Sequence, residues 1–87
     1  MNREMMQQEL MDLGVWLSEH PREARKNLRA VRSAKVLEPG VYFNRGTGMV
    51  DRIFSSQRVA LGHQMFRISH DPAAPIAEIQ TRATEGK

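Results

Sequence analysis

Residues 40–54 read Gly40-Val41-Tyr42-Phe43-Asn44-Arg45-Gly46-Thr47-Gly48-Met49-Val50-Asp51-Arg52-Ile53-Phe54, and this stretch decides the fold. Val41-Tyr42-Phe43 is β-branched and aromatic, Asn44 to Gly48 is turn chemistry, and Met49 to Phe54 returns to strand-forming residues. The reading is a strand, a glycine-containing turn and a second strand. Upstream of the Glu38-Pro39-Gly40 turn the apolar residues follow a helical period instead. Helices followed by strands define an α+β protein.

In the upstream half, Met6, Leu10, Leu13 and Leu17 recur at i, i+4, i+7 and i+11, with Met5 and Trp16 widening the stripe. That spacing predicts an amphipathic helix over residues 2–19. Its acids favour the positive end of the helix dipole. Gly14 costs a helix interior about 1 kcal/mol relative to alanine, or else marks close packing. His20 precedes a proline and so leaves the α region, while Pro21 suits the first turn of a following helix. The second helix is predicted over 22–34, with Ala24, Leu28 and Val31 as its apolar stripe and Ala34 at the edge.

Downstream of Phe54, Gln57 to Leu61 and Gln64 to Ser69 are joined by Gly62-His63, which suits a two-residue hairpin. Asp71 to Pro75 reads as a linker. Ile76 to Arg82 is assigned to a last edge strand in preference to a short helix begun at the proline, and 83–87 to a flexible tail. The prediction is one domain, 1–82, with two N-terminal helices on one face of a small, mostly antiparallel sheet of three to five strands within 41–82. Leu10, Leu13, Trp16, Leu17, Val41, Phe43, Val50, Ile53, Val59, Leu61, Phe66 and Ile68 form the expected core.

A chain of 87 residues has room for one core and buries only about 60–65% of its unfolded surface. There is no cysteine, which excludes disulfides and thiolate metal sites and is compatible with a reducing cytoplasm. Apolar runs reach three residues, as in Val15-Trp16-Leu17, against roughly 20 for a membrane span. Acids soon after the N-terminus are unlike a signal peptide. A cytoplasmic protein with no membrane contact is expected.

The formal charge of +3 is unevenly spread. Residues 1–20 set Arg3 against Glu4, Glu9, Asp12 and Glu19, a net of −3. Residues 21–35 set Arg22, Arg25, Lys26, Arg29, Arg32 and Lys35 against Glu23 alone, a net of +5. On one continuous helix, Arg22, Arg25, Arg29 and Arg32 would line up at i, i+3, i+7 and i+10. Guanidinium groups fork onto phosphate oxygens, so such a stripe suits a nucleic-acid backbone, with a salt slope of roughly −4 to −5 on duplex DNA for five contacts. Arg45 and Arg52 are expected to assist. The competing reading is intramolecular, with Glu9, Asp12 or Glu19 paired to Arg25, Arg29 or Arg32 at about 0–1 kcal/mol each.

Other chemistry is thin. Arg45-Gly46-Thr47-Gly48 lacks the following helix that a phosphate-cradling loop requires. His20, His63 and His70 have no helical i, i+4 partner and no cysteine to complete a zinc site. Ser55, Ser56 and Ser69 sit in no nucleophile elbow. The second half offers no third helix for a helix-turn-helix core. The expectation is therefore a non-enzymatic binding protein without cofactor. It contacts nucleic-acid phosphates through its basic helix or, alternatively, acts as a regulator docking that helix on an acidic protein surface. The heptad-like Met6-Leu10-Leu13-Leu17 register adds a possible homodimer seam.

Overall fold

The computed structural model describes residues 3–31, 36–59 and 64–85. In chain order the elements are α1 (Arg3–Glu19), α2 (Pro21–Asn27), β1 (Arg29–Ala30), β2 (Val36–Leu37), β3 (Gly40–Asn44), β4 (Met49–Ile53), β5 (Gln57–Arg58), β6 (Met65–Ser69) and α3 (Ile76–Glu85). A four-stranded sheet has the order β1-β6-β3-β4, and β2 pairs with β5 in a separate ribbon. Every one of these pairings is antiparallel. The fold is α+β.

Both faces of the sheet are covered, which is why Val41-Tyr42-Phe43 reads as an unbroken apolar run. On one face Val41, Phe43, Val50, Phe66 and Ile68 pack with Leu13 and Leu17 of α1, Ala24 of α2, and Ile79 and Ala83 of α3. Leu10 and Trp16 line the margin of this cluster. By strand alternation Tyr42 points the other way. It packs there with Leu37, Ile53 and Met65, bordered by Val31 and Val59, and its hydroxyl donates to the Glu38 carbonyl at 2.7 Å. Each fully buried Leu, Ile, Val or Phe contributes about 1.5–3 kcal/mol of transfer free energy.

The β3–β4 hairpin runs in register from Gly40↔Ile53 to Asn44↔Met49. Asn44 organises its turn: Oδ1 accepts from the Gly46 and Thr47 amides at 2.8 and 3.3 Å, and its carbonyl accepts from Gly48 at 2.7 Å. Gly48 closes the turn at φ +73°, a conformation that favours glycine. Against this turn lies Gly14, where any Cβ would overlap the Gly48 carbonyl oxygen. The glycine in α1 therefore marks a close approach of helix and hairpin.

Four expectations are corrected. The second helix stops at Asn27 instead of running to residue 34. Leu28 turns extended at φ −114°, ψ 140°, and Arg29 and Ala30 pair with Arg67 and Phe66. Helix propensity favours Arg and Ala by only tenths of a kcal/mol over average residues, and pairing to β6 outweighs it. The segment assigned to a last strand is α3, because Ile76, Ile79 and Ala83 fall at i, i+3 and i+7 and turn inward. Ala83, placed in the tail by sequence, is fully buried, and the helix continues to Glu85. Finally, β5 and β6 do not form a hairpin: β5 joins β2, and β6 enters the sheet between β1 and β3. Leu61 and the Gly62-His63 turn lie outside the described residues.

Leu13 and Leu17, two members of the heptad-like register, are buried within this one chain. Among the described residues, the large apolar side chains that α1 leaves exposed are Met6, Met11 and Val15. Among the described residues, no helix is long and apolar enough to cross a membrane.

Candidate functional site

α2 is held at both ends by backbone geometry. The His20 carbonyl accepts from the Glu23 and Ala24 amides at 3.1 and 3.3 Å, and Leu28 donates back to Ala24 at 3.0 Å. The His20 ring stacks on Trp16 at a centroid distance of 4.1 Å, and its Nδ1 donates to the Trp16 carbonyl at 2.8 Å. His20 is thus a helix-end fixture. With Ala24 buried, α2 presents Arg22, Arg25 and Lys26 to solvent.

The basic segment then changes element. Arg29 lies exposed on β1, directly opposite Arg67 of β6. The continuous helical stripe is therefore broken, its cations divided between a short helix and a sheet edge. Arg32 and Lys35 lie outside the described residues. A hollow of about 200 Å³ at this edge is walled by Asn27, Arg29, Arg67, Ile68, Ser69, His70 and Arg82. A second hollow, of about 350 Å³, brings Arg25 together with Leu28, Ala30, Gln64 and Phe66. Gln64 also accepts from Arg45 Nη1 at 2.6 Å, and its carbonyl accepts from the Arg45 amide at 3.0 Å. Arg45 thus joins the neighbourhood of Arg25 through Gln64.

Arg52 has a different task. Its Nη1 donates to the carbonyls of Pro72 and Ala74, both at 2.8 Å, tying β4 to the segment before α3. It acts as a structural clamp, a task the sequence did not suggest. Arg67 and Arg82 were missed altogether. Arg67 was legible only as an outward strand residue, and nothing local connects either arginine to Arg29.

Among the described residues, no α1 acid pairs with Arg25 or Arg29, and the expected partner Arg32 lies outside them. Among the described residues, one ion pair occurs, between Arg82 Nη2 and Glu78 Oε1 at 3.3 Å within α3. Two buried side-chain atoms there have no hydrogen-bond partner, Glu9 Oε2 and Arg52 Nη2. A shallow apolar groove of about 750 Å³ runs between α1 and β4, bordered by Met6, Leu10, Met11, Met49 and Phe54. Among the described residues, no three His, Asp or Glu side chains gather as metal ligands.

No family model, no curated protein and no solved structure matches this chain.

Proposed function

We propose that this chain is a small, non-enzymatic cytoplasmic binding protein whose basic face contacts nucleic-acid phosphates. The observation that carries the reading is the opposition of Arg29 and Arg67 across β1 and β6, with no carboxylate among the described residues bonded to either. Like charges directly opposite one another in a sheet are unfavourable, and a polyanion relieves them. Arg22, Arg25 and Lys26 on α2 extend the same charge, with Arg45 beyond Gln64. α2 spans only about 10 Å at 1.5 Å per residue. The contact therefore tracks the sugar-phosphate backbone over a mixed helix and strand surface, without insertion of a recognition helix.

The test is fluorescence anisotropy of labelled single- and double-stranded oligonucleotides across a salt series. Binding at micromolar or tighter concentrations near physiological salt, with log K falling by roughly 4–5 per decade of salt, supports the reading. The charge reversals Arg25→Glu and Arg29→Glu should then abolish binding with the fold intact. Unchanged affinity in both would sink it. Absence of binding even at low salt, with capture of an acidic protein by the wild type and not by the reversals, favours the regulator reading.

A further inference from the structure

We propose that the hollow at the β1–β6 edge receives a phosphomonoester, the doubly charged group that ends a nucleic-acid strand or a mononucleotide. This deepens the phosphate-binding reading of the same face and rests on it.

Three arginines from three elements line this hollow: Arg29 from β1, Arg67 from β6 and Arg82 from α3. No carboxylate lies among its walls. A charge on an edge strand is commonly protective against edge-to-edge pairing, and Arg29 alone meets that need. Arg67 opposite it and Arg82 beside it go further. Arg82 is shared with Glu78, and among the described residues neither Arg29 nor Arg67 forms an ion pair, which leaves two positive charges to be matched. A phosphomonoester carries about −1.5 to −2 at neutral pH, so two positive charges match it, whereas a backbone phosphodiester carries about −1. Arginine donates five N–H groups in a rigid fork, so Arg82 keeps donors beyond the one committed to Glu78.

The remaining walls are suited to an oxyanion. Ser69 Oγ accepts from the Asp71 amide at 3.1 Å, which leaves the hydroxyl proton to donate. Asn27 Nδ2 donates to the Ala83 carbonyl at 3.1 Å, fixing that wall to α3. His70 is an exposed member of the rim. At about 200 Å³ the hollow holds about seven water volumes of ~30 Å³ and lies below the ~300–1,000 Å³ of sites for larger ligands. It fits one small group with some of its water.

The experiment uses the full chain and three versions of one labelled oligonucleotide: 5′-phosphorylated, 3′-phosphorylated, and bearing hydroxyls at both ends. Inorganic phosphate is titrated separately by NMR at constant ionic strength, reading the arginine Nε–H signals. A terminal phosphate at either end should tighten binding at least tenfold. Arg82→Gln should remove that advantage and leave binding of the hydroxyl-ended strand nearly unchanged, whereas Arg67→Gln should remove the advantage and also weaken binding of all three strands. Inorganic phosphate should shift the signals of Arg29, Arg67 and Arg82 and leave those of Arg22 and Arg25 in place. If all three oligonucleotides bind equally and phosphate shifts nothing, the pocket assignment is overturned while the nucleic-acid reading stands. If phosphate shifts the three arginines and no oligonucleotide binds, the pocket stands for a free phosphomonoester and the nucleic-acid reading falls. Arg82 is half exposed, so its variant keeps the test valid should Arg67→Gln fail to fold.

Discussion

Gly14 and Gly48 meet backbone to backbone, so that α1 rests on the β3–β4 turn with no side chain between them. Placing alanine at 14 gains about 1 kcal/mol of helix propensity but drives its Cβ into the Gly48 carbonyl. The backbone on both sides must shift. Gly14→Ala should lose about 1–3 kcal/mol net in urea unfolding, the opposite sign to an exposed helix glycine.

Arg52 binds two carbonyls that precede α3, and hydrogen bonds to charged groups contribute about 1.5–3 kcal/mol. Arg52→Gln should lower stability by about that amount and speed amide exchange at Ile79 and Ala83. Nucleic-acid affinity of the folded variant should be unaffected. A weakened affinity with unchanged stability would return Arg52 to the binding face.

Leu17 and Phe54 are both large and apolar, but one is fully buried and the other is 66% exposed. Leu17→Ala should cost about 2–5 kcal/mol, because it removes buried methyl groups and leaves a cavity. Phe54→Ser should stay within about 0.5 kcal/mol of wild type, as surface changes do. Thermal unfolding distinguishes the pair.

Arg22 and Lys26 are exposed on α2 and are not among the residues that wall the β1–β6 hollow. Neutralising either to glutamine should weaken binding of every oligonucleotide alike and reduce the salt slope by about 0.9 per residue. Any preference for a phosphorylated end should survive. Titrations at four salt concentrations suffice.

The class of fold and its first helix were legible because a single strong period marks each. Leu13 and Leu17 sit one turn apart facing one core, and the Asn44–Gly48 turn carries its own chemistry. The second helix was overextended for a physical reason. Ala24 and Leu28 pack in the helix-side core, whereas Val31 borders the cluster behind the sheet. One apparent stripe thus serves two cores, and the chain must change conformation between them. In α3, β-branched Ile76 and Ile79 favoured a strand, and the decisive residue was Ala83, whose burial completes the helical period. As for the site, charge density marked Arg22, Arg25, Lys26 and Arg29. Arg67 stands opposite Arg29 only because β6 lies beside β1, and Arg82 lines the same hollow only because α3 packs against α2 and β6, long-range placements that no local pattern encodes.

The position of β6 also sets an order of events during synthesis. β1 and β3 both pair with it, and β1 has no other partner in the four-stranded sheet. A nascent chain that has emerged only as far as Phe54 can close the β3–β4 hairpin but cannot recruit Arg29 and Ala30 to a sheet. Formation of the central sheet therefore waits for translation of Met65–Ser69, and packing of the helix-side core waits for Ile79 and Ala83. Until then Val41 and Phe43 lack the cover of Phe66, Ile68, Ile79 and Ala83, and β3 keeps an unpaired edge of the kind that chaperones shield.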